Sequence, residues 1–324
     1  MSDLSIVTVT YQSAAKIDAC LNAAQTAASS AEIVVVDNAS TDGTRQVVKA
    51  AGANVRLVGT SENVGFGRGC NLGAEVARGA WLLFINPDVV LKTVTIPALT
   101  KDEGFGLGAG VIVSKDQHRG SPSVRAETTI AEDWIQEVWK LFIPRRLARY
   151  ISVRRWPASW PVGGMFIARR DEYQRVGGFD PRYFLFFGDR DLGARYREQG
   201  LPVRMIDGLV GSHRPGTSSA DVTSWHREAW SIVSWLEYVA VWRGADQAAL
   251  TASRVLRVLT GIAHLANRAN PSHRVRDRAC RAGLVADFIV RFDEFLPSNA
   301  QSFYQCARIA VAAATDSASY KLTV

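Results

Sequence analysis

The sequence predicts an α/β fold built on an open, mainly parallel sheet, and two observations predict it. Short apolar, β-branched runs alternate with helix-compatible segments through the N-terminal part of the chain, with short links between them. Several of these runs end in polar, turn-forming residues, at the edge where such sheets bind ligands. The chain has 324 residues, of which 47% are hydrophobic and 21% charged. It can therefore bury a sizeable core, which excludes global disorder.

Leu4–Thr10 is apolar and β-branched, the pattern of a buried strand. Ala14–Ser29 is Ala-rich and suits a helix. Glu32–Val36 is a second strand, halted by Asp37 and Asn38. The run Ser40, Thr41, Asp42, Gly43 can cap a helix reaching about Ala51. Val55–Gly59 reads as strand, Asn71–Arg78 as helix and Trp81–Ile85 as strand. A short strand is expected at Gly110–Val113. Residues 117–159 are basic and aromatic with weak periodicity, which suggests an insertion or a mobile segment. Trp160–Arg169 reads as one strand and Asp171–Val176 as a helix closed by Gly177 and Gly178. From about Ser218 the pattern turns helical: Trp225–Trp242, Ala248–Asn267, Arg274–Phe292 and one more helix near the end.

Composition bounds the function. Lys plus Arg is 38 against 31 for Asp plus Glu, a surplus of +7 that suits an anionic partner: a phosphate-bearing substrate, nucleic acid or a membrane surface. The four cysteines form no CxxC pair, so neither a zinc site nor a disulfide framework is signalled. Cys70 reads as buried filler rather than a nucleophile. No secretory signal and no spanning stretch are visible. A cytoplasmic, reducing location is expected, with a peripheral place at the inner face of the cytoplasmic membrane as an option.

Five segments carry chemistry. In VVVDNASTDGT (34–44), Asp37 ends a strand, where a carboxylate can accept from a base imide or a ribose hydroxyl. The competing reading is a turn and helix cap, which suits Ser40, Thr41 and Asp42. In SENVGFGRGCNLG (61–73) the glycines fit neither G-x-G-x-x-G nor a Walker loop. They are expected to let backbone approach a ligand, and Arg68 is placed to meet a phosphate. In LLFINPDVVL (82–91), Asp88 emerges at the sheet edge, where a hard divalent ion takes oxygen ligands. Alone, N-P-D is an ordinary turn. In FLFFGDRDLGARYREQG (184–200), Asp189 and Asp191 open a helix, as dipole-favoured carboxylates or with one as a general base. His213, in HRPGTSSA (213–220), is a structural histidine or, beside an acidic turn, a metal ligand.

Taken in order with GGMFIARRDEYQRVGGFD (163–180), these segments over residues 3–220 resemble the family 2 glycosyltransferases, nearest to the rhamnosyltransferase-like and galactofuranosyltransferase-like bacterial branch. The resemblance implies a GT-A fold over residues 1–220, with 1–115 as the nucleotide-sugar half and 116–220 as the acceptor half. Residues 221–324 are then a helical extension. It also implies inverting transfer from a nucleoside diphosphate sugar, dTDP- or UDP-linked, with Mg2+ or Mn2+. The acceptor is a glycan or a polyprenyl-linked molecule, in the synthesis of surface polysaccharide.

Carried over by residue, Thr10, Tyr11, Asp37, Gly65, Phe66, Arg68, Asn71 and Asn86 are expected around the donor. Asp88 and His213 fall to the metal, and Asp189 to the catalytic base. Asp191, Trp160, Gly163 and Gly164 are expected on the acceptor side. Two departures stand out. Asn86 replaces the first acid of the metal motif, and Gly188 replaces the Glu before the base. They leave a second reading open, a catalytically weakened sugar-nucleotide-binding or scaffold protein.

The positive charge is concentrated late. Thr251–Arg291 holds eight arginines and two aspartates, interleaved with Leu256, Leu259, Ile262 and Leu284. Such helices suit peripheral membrane contact, a homo-oligomer contact or, equally, packing on the catalytic core with a solvated arginine face. Nucleic acid is not expected, since no recognised binding module accompanies the arginines.

Overall fold

The computed structural model describes residues 3–95, 105–114, 121–122, 124–138, 158–162, 164–213, 224–265, 273–291 and 304–316. The expected insertion at 117–159 lies largely outside the described residues. In chain order the first elements are β1 (Leu4–Thr10), α1 (Ala14–Ala27), β2 (Glu32–Asp37), α2 (Thr44–Ala50), β3 (Val55–Gly59), α3 (Phe66–Val76), β4 (Trp81–Ile85) and β5 (Val89–Val94). Then come β6 (Leu107–Ser114), β7 (Ser121–Pro122), β8 (Val124–Arg125), α4 (Ile130–Glu137), β9 (Trp160–Pro161) and β10 (Met165–Arg169). The rest are α5 (Arg170–Val176), α6 (Gly188–Glu198), β11 (Val203–His213), α7 (Ser224–Arg243), α8 (Ala245–Leu265), α9 (His273–Arg291) and α10 (Gln305–Asp316).

The described residues form two compact units. The first holds a nine-stranded sheet in the order β3-β2-β1-β4-β10-β6-β11-β5, with β7 on β6. Strands β3, β2, β1, β4, β6 and β11 run one way; β10, β5 and β7 oppose them. The expected mixed, mainly parallel sheet flanked by helices is therefore present. The order turns around β1. The chain adds β2 and β3 on one side, then returns to place β4 on the other. That reversal is a switch point, and open α/β sheets bind ligands beside such points, here at the carboxyl ends of β1 and β4.

Alternation along the strands makes the two layers. Ile6, Ile33, Val35, Leu83 and Ile85 pack with Ile17 and Leu21 of α1 on one face. Val7, Val9, Val34, Val36 and Phe84 pack on the other face with Cys70 and Ala74 of α3, Tyr173 of α5 and Leu192 and Tyr196 of α6. Both sets are buried, which explains why β1 and β2 read as near-continuous apolar runs.

The Trp160–Arg169 strand expected from the sequence is broken in two. Pro161 has no N–H to continue the ladder, and Gly164 turns back so that its N–H donates to Val162 O at 2.6 Å. Helix α4 went unread in the sequence. It starts from a capping box, in which the Thr129 hydroxyl accepts from Glu132 N–H and the Glu132 carboxylate accepts from Thr129 N–H.

The second unit contains α4, the stretch Pro181–Phe187 and helices α7 to α10. Val233, Leu236, Val255, Leu259, Val285 and Ile289 recur at helical spacing and meet in one core. Two buried polar groups in it pair with partners distant in sequence. The Trp235 indole donates to Asp133 at 3.2 Å, and Ala307 N–H, in the first turn of α10, donates to the buried Glu237 carboxylate at 2.7 Å. No helix among the described residues is long and apolar enough to cross a membrane.

Candidate active site

Strands β1 and β2 end side by side, with Thr10 paired to Asp37. The Asp37 carboxylate is fully enclosed, at 0% exposure. It accepts from the Thr10 hydroxyl at 3.2 Å, from Ser40 N–H at 3.1 Å and from Arg45 Nε at 2.5 Å. Its immediate task is thus to hold the loop after β2. Tyr11, next to it, is 51% exposed. Gln12 and Ala39 flank these residues with φ of 48° and 60°. Non-glycine residues in that region cost of order 1–3 kcal/mol and persist only where their surroundings over-determine them. Here Gln12 N–H donates to Ser40 Oγ at 3.0 Å and Gln12 Nε2 to Thr41 Oγ1 at 3.0 Å. Asp42 braces the same loop, accepting from Thr44 Oγ at 2.5 Å and Ala14 N–H at 3.0 Å. Burial alone would raise its pKa, but these hydrogen bonds win and lower it. The result is a stiff double loop with Tyr11 displayed on it.

Gly67, Gly69 and Gly73 of the 61–73 segment serve close packing. A Cβ on Gly67 would sit 2.9 Å from Phe179 Cβ, and one on Gly69 or Gly73 would sit 2.7 or 2.4 Å from a γ-carbon of Val9 or Val7. Gly69 and Gly73 are four apart, so they share the face of α3 that presses on β1. Gly65 is the exception, with φ of 84° at the start of the helix. Gly73→Ala is expected to cost about 1–3 kcal/mol by overpacking, read as a lower urea midpoint. An unchanged midpoint would mean that α3 stands farther from β1.

Phe66 and Arg68 are half-buried on the first turn of α3. Phe66 meets Phe179 edge-on at 5.6 Å. Desolvation lowers the Arg68 pKa, with Glu62 opposing. Asn71 is a clamp: its Nδ2 donates to Phe179 O at 2.8 Å, and its Oδ1 accepts from Phe179 N–H at 2.9 Å and Tyr173 OH at 2.6 Å. Cys70 is buried, which drives its thiol pKa well up, as expected of a packing residue.

Beyond β4 the chain turns tightly, with Val89 N–H donating to Asn86 O at 3.0 Å. Asp88 is buried there, at 4% exposure. It lies close to Cys20 of α1, whose thiol is pushed up to about 12, chiefly by burial and in smaller part by the Asp88 charge. Gly164 joins the same edge, since its carbonyl accepts from Asn86 N–H at 3.0 Å. His213, the last residue of β11, is paired through its backbone with Val89, the residue after Asp88. Strand pairing thus brings Asn86, Asp88, Gly164 and the His213 backbone to one place, although 125 positions separate Asp88 from His213. The Asp88 carboxylate and the Asn86 amide oxygen are of the hard oxygen type that suits Mg2+ or Mn2+. No group of three or more His, Cys, Asp or Glu side chains that could hold a metal occurs among the described residues. An ion that shares its shell with phosphate oxygens needs fewer protein ligands.

Helix α6 leads by a short link into β11, which runs with the parallel strands. The helix therefore runs against them, and its N-terminus lies at the carboxyl edge. Asp189 is in its first turn, half-buried, with Oδ1 accepting from Arg190 N–H at 2.9 Å. Phe187, just before, has φ of 65°. Asp191 is only 1% exposed, and its carboxylate is held by Arg195 at 2.8 Å. Trp160 lies against the same helix: a Cβ on Gly193 would be 2.6 Å from Trp160 Cβ. The Trp160 indole donates to Ala126 O at 3.3 Å, and Arg125 lies over its ring at 5.7 Å. Gly163 lies outside the described residues.

The sequence reading missed Gln12, Ala39, Arg45 and Glu127. Arg45 carried a signal, standing in the first turn of the helix that follows an acidic strand end; the strained pair carried none, because neither is glycine.

An open sheet that collects polar residues and strained turns at a switch point is the form of a ligand-binding α/β unit. The family model for Glycosyl transferase family 2 matches residues 5–177, more than half of the chain, and the chain belongs to that family. It is 30% identical over 244 residues to the N-acetylglucosaminyl-diphospho-decaprenol L-rhamnosyltransferase of Mycobacterium tuberculosis, spanning 68% of this chain and 79% of that one. It is 27% identical over 248 residues to the validoxylamine A glucosyltransferase of Streptomyces hygroscopicus subsp. jinggangensis, spanning 68% of this chain and 58% of that one. A solved mannosyltransferase from Pyrobaculum calidifontis, in complex with GDP-Man and Mn2+, aligns at TM-score 0.48 and 16% identity over 97% of this chain and 86% of that one. The protein is thus a glycosyltransferase with the expected GT-A type of fold, followed by C-terminal helices.

Proposed function

We propose that the chain moves a hexose, with rhamnose from dTDP-rhamnose as first candidate, onto a glycan or polyprenyl-linked acceptor in the synthesis of bacterial surface polysaccharide. The observation that carries this reading is the similarity to the rhamnosyltransferase of M. tuberculosis, together with the convergence of Asn86, Asp88 and the His213 backbone at the edge of the sheet. UDP-galactofuranose and UDP-galactose are the next donors. Residues 1–220 would form the catalytic unit and 221–324 the helical extension, whose arginines favour a membrane surface or a second copy of the chain.

In this reading Thr10, Tyr11, Asp37, Gly65, Phe66, Arg68, Asn71 and Asn86 surround the donor. Tyr11 offers a face for the base, while Asp37 and Asn71 act by fixing the loops that present Tyr11 and Phe66. Asp88 and His213 would hold a Mg2+ or Mn2+ ion, which supplies charge stabilisation to the departing diphosphate. Trp160, Gly163, Gly164 and Asp191 would serve the acceptor, with the Asp191 salt bridge to Arg195 bracing the helix. Asp189 takes the proton from the acceptor hydroxyl. The acceptor oxygen bonds to the anomeric carbon as the bond to the diphosphate oxygen breaks. The diphosphate leaves with the electron pair, and the configuration inverts.

The test is a donor panel of dTDP-, UDP- and GDP-sugars with Mg2+ or Mn2+ and a polyprenyl diphosphate acceptor carrying N-acetylglucosamine. Acceptor-dependent release of dTDP is expected, with a product of anomeric configuration opposite to the donor's by NMR. Tight donor binding with no turnover on any acceptor would instead favour a scaffold protein, the reading that Asn86 and Gly188 keep in view.

A further inference from the structure

We propose that Glu127 and Arg190 form a positioning pair that sets the orientation of Asp189; the inference rests on the reading of Asp189 as base. The family's acid directly before the base is Gly188 here, so the neighbour that would fix the base is missing. The structure supplies a different support. Arg190, the residue after Asp189, is only 3% exposed. Its Nε donates to Glu127 Oε1 at 2.9 Å, and its Nη2 donates to the same oxygen. The other carboxylate oxygen accepts from Arg197 Nη2 at 3.1 Å, two turns farther along α6. Glu127 thereby grips one helix at two points, and Arg197 is tied again to Ser159 O beside Trp160.

The link to the base is short. The Arg190 peptide N–H is the group that Asp189 Oδ1 accepts, at 2.9 Å. A side chain pinned by a two-donor contact fixes its own peptide, and that peptide fixes the rotamer of the carboxylate before it. Reacting groups must be held to a fraction of an ångström, and a displacement of about 1 Å can cost about a hundredfold in rate. Phe187, with φ of 65°, stands on the other side of Gly188. A strained residue before the base and a buried guanidinium after it hold the start of α6 from both sides. Neither needs a side chain at position 188.

Removing Glu127 alone would leave the buried Arg190 guanidinium without this carboxylate and destabilise the helix start. The test is therefore the paired replacement Glu127→Leu with Arg190→Met, beside Asp189→Asn in the full chain. Replacement of a buried ion pair by apolar residues is often neutral for stability, so a melting temperature within about 3 °C of wild type is expected. With the fold kept, kcat is expected to drop by about 10- to 100-fold while donor KM stays within about twofold. Restoring Glu127 and Arg190 by reversion should restore kcat. Wild-type kcat in the paired variant, with Asp189→Asn inactive, would overturn the positioning role and leave the base standing. An active Asp189→Asn would overturn the base, and the inference with it.

Discussion

Asp189→Asn is expected to lower kcat by at least about a hundredfold and up to ten-thousandfold, the usual range for loss of a general base, with donor KM nearly unchanged. The substitution is isosteric, and the Asn oxygen can still accept from Arg190 N–H, the contact made at 2.9 Å by Asp189. The fold should therefore survive, and only the proton-accepting capacity is lost. Position matters as well as chemistry. Asp189 stands in the first turn of α6, a position that favours a carboxylate. Asp191→Asn serves as the contrast. That residue is 1% exposed and paired with Arg195, so its loss should appear mainly as a lower melting temperature. Steady-state kinetics with thermal melts on both variants decides the matter. Near-normal turnover in Asp189→Asn would remove the base assignment, and a collapse of kcat in a stable Asp191→Asn would move the role to Asp191.

Much of the fold was legible because it is written locally. Strands β1, β2 and β4 are unbroken β-branched or apolar runs, and the α7 to α9 helices repeat apolar residues at helical spacing. What stayed hidden depends on partners far away in sequence. Nothing in Val89–Val94 says that it pairs antiparallel with β11, yet that register sets Val89 beside His213. The glycines of α3 announce a close approach without naming its object, which is Val7 and Val9 of β1 and Phe179. Asn71 reads as a ligand residue from its motif, while its amide closes on the backbone of Phe179, more than a hundred positions later. Glu127 lies in a stretch without periodicity and becomes visible only when Arg190 and Arg197 meet it. The Thr129–Glu132 capping box could have been found, because its spacing is local.

Asp88→Ala should be as damaging as loss of the base, by a different route. Asp88 is the one acid of the N-P-D turn, because Asn86 has replaced the other. A neutral amide contributes a dipole where a carboxylate would contribute a charge, so in the proposed site the affinity for a divalent ion would fall chiefly on Asp88. Removing it should lower kcat/KM by about a thousandfold, comparable to losing several kcal/mol of charge stabilisation in the transition state. It should also shift the Mg2+ or Mn2+ activation curve to much higher concentration. His213→Ala should move the same curve less, since a hard ion draws more from a carboxylate than from an imidazole. Asp88 is buried near Cys20, so a melt must accompany the assay. If the variant folds and still shows the wild-type activation curve, Asp88 does not hold the ion. Full wild-type activity in excess EDTA would go further and remove the metal itself. The expected order of sensitivity, Asp88 above His213 with Asn86→Asp raising affinity above wild type, ties the outcome to charge at the turn rather than to the fold around it.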